Sequence, residues 1–278
     1  RIIKIISNQY TVQLEDNTIL EAYPTGKMRL KQRLFVGDFV LLEKSEGKYG
    51  IVDVLERKNV LKRPFLANVD QAYVLMSFKD PNFSFELVNR LVILIEYADV
   101  LPIIVITKAD LGDDKALNNI KEYYNQIGLD VYFSYKDVID EILLASFKHK
   151  VSVLCGQSGV GKTSIINKFD PSLNLKTDIT SKALGRGKHT TRHVELYELN
   201  EGLVADTPGF SSIDLRDIDI NLLKDKISVF NKYNTCYYRD CMHINEPDCG
   251  VKKAILDNLI PKSFYDSYVE IFDMIKMG

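Results

Sequence analysis

No run of about 18 apolar residues occurs in the chain, which excludes a membrane-spanning helix. The most apolar stretch, Val88 to Ile106, is broken by Arg90, Glu96, Asp99 and Pro102. No secretory signal is expected: the apolar segment ending at Ile6 is too short and no cleavage site follows it. With Arg rather than Met in first place, the natural start is expected a little upstream. Internal repeats and low-complexity tracts are absent. A net charge of −2 excludes a polybasic nucleic-acid binder. Cysteine is scarce, but three of the four, Cys236, Cys241 and Cys249, crowd into fourteen residues. Without a secretory signal, such crowding favours a metal site over disulfides.

What is present fits an ordinary globular protein: 278 residues, 46% hydrophobic and 27% charged. The charge is uneven. Residues 1–65 hold twelve Lys or Arg against eight Asp or Glu, which makes either a solvated surface or a phosphate-facing patch. The same region reads as five short strands: Ile2–Ser7, Tyr10–Leu14, Thr18–Tyr23, Phe39–Leu42 and Tyr49–Leu55. That number suits an OB barrel, with an SH3-like barrel as the alternative. Glu56–Pro64 reads as a linker.

Beyond it strands and helices alternate, implying a mostly parallel sheet covered on both faces. The strands are Gln71–Ser77, Pro102–Thr107, Asp130–Ser134 and Val151–Cys155. The helices are Ser84–Tyr97, Asp113–Gln126, Val138–Lys148 and Lys162–Phe169. A hairpin, Val194–Leu199 and Leu203–Asp206, closes the series. After Asn221 the pattern is helical, and a last helix begins near Ser263 with Asp266 in capping-box spacing. The expected architecture is multidomain α/β: an OB-fold barrel (1–63), a P-loop domain (64–220) and a helical zinc-binding domain (221–278).

Gly156-Gln157-Ser158-Gly159-Val160-Gly161-Lys162-Thr163, followed by Ser164, matches G-x-x-x-x-G-K-[ST] between an apolar strand and a helix. Glycines let the backbone N–H groups turn inward onto phosphate oxygens. The helix start adds its positive end. Lys162 reaches the β- and γ-phosphates, and the Thr163 hydroxyl coordinates Mg²⁺. Asp206-Thr207-Pro208-Gly209 follows an apolar strand, so Asp206 can support Mg²⁺ and Gly209 can offer an N–H to the γ-phosphate.

Thr107-Lys108-Ala109-Asp110 resembles the guanine-reading N-K-x-D, with Thr in place of Asn. The Asp110 carboxylate can accept from the ring N–H and the exocyclic amine of guanine, which adenine cannot satisfy. The Lys108 stem can lie over the purine. Ser134 can add a weaker base contact, although Tyr135 stands where a small residue is usual. This motif precedes the phosphate loop by about 50 residues, whereas ordinary GTPases have the reverse order, so the domain is circularly permuted. Strand adjacency survives such reordering where termini lie close together.

Lys176–Arg192 is polar and aperiodic and carries Gly187-Lys188-His189-Thr190-Thr191-Arg192, which suits a first switch. Thr190 and Thr191 both fit the magnesium and γ-phosphate role, and Thr191 is preferred. Phe210 follows Gly209 where a water-orienting Gln would stand, so help must come from His189, Arg186 or a partner. Cys236, Cys241, His243 and Cys249 supply the ligand set of a closed, structural zinc site.

Together these features look like the ribosome small-subunit-dependent GTPase A family. The resemblance runs from the barrel through Arg63-Pro64 and Ala67-Asn68-Val69-Asp70-Gln71 to the permuted motifs, the switch and the zinc cluster. It implies GTP and GDP as ligands with Mg²⁺ and one structural Zn²⁺. It implies a cytoplasmic late assembly factor of the small ribosomal subunit, stimulated by that subunit and touching rRNA through its OB and zinc domains. It also implies His189 as the substitute for the missing Gln; Lys162 and Thr191, read from the phosphate loop and the switch, are the other expected catalytic residues. A monomer without membrane attachment is expected. The rivals are a P-loop ATPase or kinase, against which Asp110 argues, and an RNA-binding scaffold that senses GTP with little turnover.

Overall fold

The computed structural model describes residues 1–26, 28, 32–62, 65–175, 194–205, 215 and 218–277. The chain forms two compact units. The first comprises residues 1–71 and 141–154 with the described residues of 162–210; the second comprises 72–140 and 155–161 with those of 211–278.

The chain opens with β1 (Ile2–Ile6), β2 (Gln9–Gln13), β3 (Ile19–Pro24), β4 (Val40–Ser45) and β5 (Lys48–Val54). Their spatial order is β1-β2-β3-β5-β4, antiparallel except for the parallel pair β3 and β5. Ile2 exchanges main-chain hydrogen bonds with Gly37 and Asp38 just ahead of β4, bringing the first strand toward the last. This is the five-stranded OB arrangement. Alternation along the strands sends Ile2, Val12, Ala22 and Ile51 inward, where Met28 and Leu34 join them. The two-residue turn between β4 and β5, Glu46-Gly47, has both residues at positive φ, as a tight hairpin requires.

The segment read as a linker is partly structured. β6 (Val60–Lys62) pairs antiparallel with β7 (Phe65–Ala67). Three residues of strand are too few to give a periodic signal. The polar residues that follow work on the backbone. Asn68 Oδ1 accepts from the Lys58 N–H at 2.9 Å while its Nδ2 donates to the Gly37 carbonyl. Asp70 Oδ2 accepts from the Val151 N–H at 2.8 Å. Gln71 donates to the Ser146 carbonyl and to the Ser152 hydroxyl. Because buried backbone groups must find partners, these side chains fix the path of the chain.

The series continues with β8 (Gln71–Ser77), α1 (Phe85–Tyr97), β9 (Leu101–Thr107), α2 (Asp114–Gln126) and β10 (Val131–Ser134). Ser84 caps α1 through the Leu87 N–H and Asp113 caps α2 through the Ala116 N–H. In the second unit the strand order is β10-β9-β8, with β9 and β10 parallel. α3 spans only Glu141–Ala145, well short of the expected Val138–Lys148. Leu143 and Phe147 are buried, but Val138 and Ile139 are exposed, so burial does not hold the expected first turn in a helix. Then come β11 (Val151–Cys155), α4 (Lys162–Phe169), β12 (Leu196–Leu199) and β13 (Gly202–Ala205). β13 runs parallel to β11 and antiparallel to β12.

The chain ends with α5 (Ile220–Lys226), α6 (Ser228–Lys232), α7 (Gly250–Leu256) and α8 (Lys262–Met277). α8 begins one residue before the expected cap. The Ser263 hydroxyl bonds the Tyr123 hydroxyl of α2 at 2.8 Å, and Asp266 pairs with Lys262 rather than closing a capping box. No helix among the described residues is long and apolar enough to cross a membrane.

One carboxyl in this packing is costly. Glu96, near the end of α1, receives the Ser228 hydroxyl of α6, yet burial raises its pKa to about 7. Desolvation outweighs the hydrogen bonds that favour its charged form. A folded pKa above the unfolded one gives stability that is complete below about pH 4.5 and lost as pH rises through 7. Glu96→Gln is therefore expected to stabilise the protein at pH 8 by on the order of 1–3 kcal/mol and to change little at pH 4.5. Urea unfolding at both pH values checks this; an equal effect at the two would contradict it.

Candidate nucleotide site and metal centre

β11 is buried along its whole length and delivers the chain to Gly156. Gly156, Gly159 and Gly161 adopt φ of 141°, 83° and 94°. The first of these is required by space as well: a Cβ on Gly156 would lie 2.2 Å from the Leu75 carbonyl oxygen. Between the glycines Val160 is fully buried and anchors the loop, while Gln157, Ser158 and Gly159 face solvent. Lys162 and Thr163 form the first turn of α4. A glycine-rich turn leading into a helix start is the kind of element that binds anions.

The residues expected to read the base lie beside this loop. Thr107 ends β9 and Ser134 ends β10, and the two are register partners. Lys108 takes a left-handed conformation, φ 53°, that turns the chain out of the strand into a 3-10 turn at Ala109–Leu111. Its Nζ donates to the Asp80 carbonyl. Asp110 is exposed, and its Oδ1 accepts from the Lys136 N–H at 3.2 Å. The Thr107 hydroxyl, 6% exposed, donates to the Val160 carbonyl at 2.6 Å. Base loop and phosphate loop are thereby joined directly. The Thr that departs from the usual Asn can make this bond with its hydroxyl.

Arg186, His189, Thr190, Thr191, Asp206, Gly209 and Phe210 lie outside the described residues, as do Arg63 and Pro64. β13 ends at Ala205, immediately before Asp206 in the chain.

Between α6 and α7 the four expected ligands converge. His243 Nδ1 lies 3.5, 3.4 and 3.3 Å from the sulfurs of Cys236, Cys241 and Cys249, and the Cys236 and Cys249 sulfurs are 3.7 Å apart. These separations are close to the roughly 3.6–3.8 Å between ligands of a tetrahedral zinc, the four ligand atoms all lie within 4.8 Å of one another, and three thiolates with one imidazole are a ligand set that leaves no position open. Burial pushes the Cys241 thiol up to about 12 and the His243 imidazole down to about 4. The imidazole is thus held neutral and ready to ligate, while thiolates there need a cation. The Lys252 N–H points at the Cys249 sulfur and the His243 N–H at that of Cys241.

Three supporting residues escaped the sequence reading. Glu246 accepts from the N–H groups of Met242 and Ile244. Tyr265 and Tyr268 of α8 donate to the carbonyls of His243 and Met242, both at 2.7 Å. Their three-residue spacing puts them on one helix face, where they read simply as core.

Removing the hydroxyl that joins the two loops would leave the Val160 carbonyl buried and unsatisfied. Thr107→Val is expected to cost about 1–3 kcal/mol of stability and to weaken nucleotide binding, while Thr107→Ser preserves both. Thermal melts and titration with a fluorescent nucleotide check this; parental behaviour of the valine variant would contradict it.

The family described as RsgA GTPase matches residues 54–216. The chain is 45% identical to "Small ribosomal subunit biogenesis GTPase RsgA 2" of Oceanobacillus iheyensis, covering 99% of this chain and 97% of the relative. It is 40% identical to "Small ribosomal subunit biogenesis GTPase RsgA" of Bacillus subtilis, with the same coverage. Among solved structures it resembles YloQ, described as a circularly permuted GTPase, with a TM-score of 0.83 and 35% identity over 99% of this chain and 93% of that one. YjeQ from Thermotoga maritima gives a TM-score of 0.82 and 31% identity over 99% and 96%. The family match over residues 54–216, together with this likeness along nearly the whole chain, establishes that the chain belongs to the RsgA GTPase family.

Proposed function

We propose that this GTPase hydrolyses GTP as a timed step in assembling the small ribosomal subunit, and that contact with the subunit switches hydrolysis on. The observation that carries the reading is the Thr107–Val160 hydrogen bond, which couples base recognition to the phosphate loop. The printed names of the relatives supply the partner. Asp110, Lys108 and Ser134 read guanine. The N–H groups of Gly156–Thr163 hold the phosphates, Lys162 neutralises charge on the β- and γ-phosphates, and Thr163 with Asp206 and Thr191 holds Mg²⁺. Bound Mg²⁺ supplies charge stabilisation at the phosphates. Phe210 has no group that could orient water, so unstimulated turnover is slow, and His189 in the switch is the residue proposed to compensate.

The domains proposed for this work are the barrel at 1–63, the permuted GTPase domain at 64–220 and the zinc domain at 221–278. The protein would act as a monomer in the cytoplasm, where ribosomes are assembled. Zinc is the proposed occupant of the Cys3His cluster. Between Asn231 and Asp248 the only buried apolar side chain is Cys241, so the metal must replace a hydrophobic core there.

Phosphate release from GTP is expected to rise strongly with purified small subunits, with ATP inert and Lys162→Ala inactive. Binding of GTP without stimulated release would favour the sensing scaffold instead. Stripping zinc with a chelator is expected to raise hydrogen exchange first across 236–256; unchanged exchange after verified metal loss would refute the structural role.

A further inference from the structure

Two edge strands meet at one pair of residues. β1 ends the strand order of the barrel, and β12 ends that of the second sheet. Edge strands carry unpaired N–H and C=O groups that invite pairing. Here the edges touch at an antiparallel bridge between Lys4 and Glu195. Both residues belong to the first compact unit. The β1–β2 register shifts between Ile2 and Lys4, and a bulge of this kind bends a strand and re-aims its side chains. Lys4 Nζ lies 2.9 and 2.8 Å from the two carboxylate oxygens of Glu195. Tyr197, two residues on and so on the same side of an extended chain, donates its hydroxyl to Glu195 Oε2 at 3.4 Å.

Stability does not account for the pair. The two side chains are 32% and 29% exposed, and an ion pair so open to solvent contributes little. Its place in the chain is more telling. Leu196, the next residue, is buried and is the register partner of Ala205, which immediately precedes Asp206 in the sequence. Glu195 therefore stands at the end of the hairpin from which the proposed magnesium motif follows. On the other side of Glu195 in sequence, residues 176–192 are the expected first switch.

The far flank of that stretch is anchored as well, on a different element. Asn167 of α4 donates its Nδ2 to the Leu175 carbonyl and accepts the Leu175 N–H on its Oδ1, both at 2.8 Å. α4 begins with Lys162 and Thr163, so Leu175 is fixed to the element that starts at the phosphate loop. Glu195 is fixed to the barrel. One flank of the expected switch is thus tied to the nucleotide-binding helix and the other to a separate β-structure. Any shift of β1 relative to α4 displaces the two flanks against each other.

We propose that Lys4 and Glu195 are positioning residues for stimulated GTP hydrolysis, passing the effect of the subunit from the barrel to the end of the switch and to the hairpin ahead of Asp206. The inference rests on the reading that the small subunit switches hydrolysis on, and it names the route.

Exchanging the charges tests the pair in the full-length protein. Lys4→Glu and Glu195→Lys should each lower the subunit-stimulated kcat by about fivefold or more, and the double variant should recover most of the loss. The KM for GTP, hydrolysis without subunits and the subunit concentration giving half-maximal stimulation should stay parental in all three. Damage to packing alone would lower the melting temperature and would not be repaired by the exchange. Where a reversed charge does lower it, Lys4→Met and Glu195→Gln keep the side-chain volume, and the same drop in stimulated kcat at unchanged KM is expected. Parental stimulated kcat in the single variants would overturn the proposal. So would a double variant no better than the worse single one. A raised half-maximal subunit concentration at parental kcat would make the pair a docking contact and also overturn it. The parent measured alongside separates the two failures. An unstimulated parent refutes the ribosomal reading and the inference with it, while a stimulated parent with indifferent variants refutes the inference alone.

Discussion

A single hydroxyl, that of Thr107, holds the main-chain carbonyl of Val160 at 2.6 Å inside the protein. Both groups are buried, so neither has water as an alternative partner, and losing the bond would leave a polar group stranded. The two residues lie 53 positions apart in the chain and belong to loops with different tasks. One follows β9 and carries the groups proposed to read a purine; the other follows β11 and is the proposed phosphate loop. Because the bond is to backbone, it fixes the path of the phosphate loop as well as the side chain of Thr107. The close approach of Gly156 to Leu75 constrains the same loop from the other side.

Seen this way, the reversed order of motifs has little physical consequence. A guanine nucleotide needs a carboxylate for the base and a ring of N–H groups for the phosphates at a fixed separation. Each set projects from the C-terminal end of a strand, and ligands of open α/β sheets bind at such ends. Which strand comes first in the chain does not enter. The Cys3His cluster solves a different problem. A stretch of eighteen residues with almost no apolar burial cannot offset its ordering entropy by hydrophobic contact, and four convergent ligands take over that role. Glu246, Tyr265 and Tyr268 then hold the ligand loop by its main chain.

Much of this was legible from residue types alone. The phosphate loop, the base motif, the four metal ligands and nearly every strand and long helix carry strong local patterns. What was not legible depended on contacts distant in sequence. Val138–Lys148 looks like a helix by composition, but Val138, Ile139 and Ile142 stay exposed while Leu143 and Phe147 are buried, and only Glu141–Ala145 is helical. Ser263 has the spacing of a capping residue and is drawn to Tyr123 instead. The 56–64 segment hid a three-residue strand whose partner lies beyond it. The choice between two kinds of barrel turned on β3 pairing parallel with β5, and strand counts hold no information about that. Thr107, which read as a weakened Asn, has a bond of its own that only the fold reveals.

The central claim is that the loop at Thr107–Asp110 reads the base held over a phosphate loop that follows it in sequence. Nucleotide preference of Asp110→Asn tests this most directly. Xanthine carries a carbonyl where guanine carries an amine, so an amide side chain matches xanthine and mismatches guanine. The account predicts that the variant loses affinity for GTP and gains it for the xanthosine triphosphate, with Thr107 and the phosphate loop untouched. A variant that still prefers GTP, or that loses both nucleotides together, would contradict it.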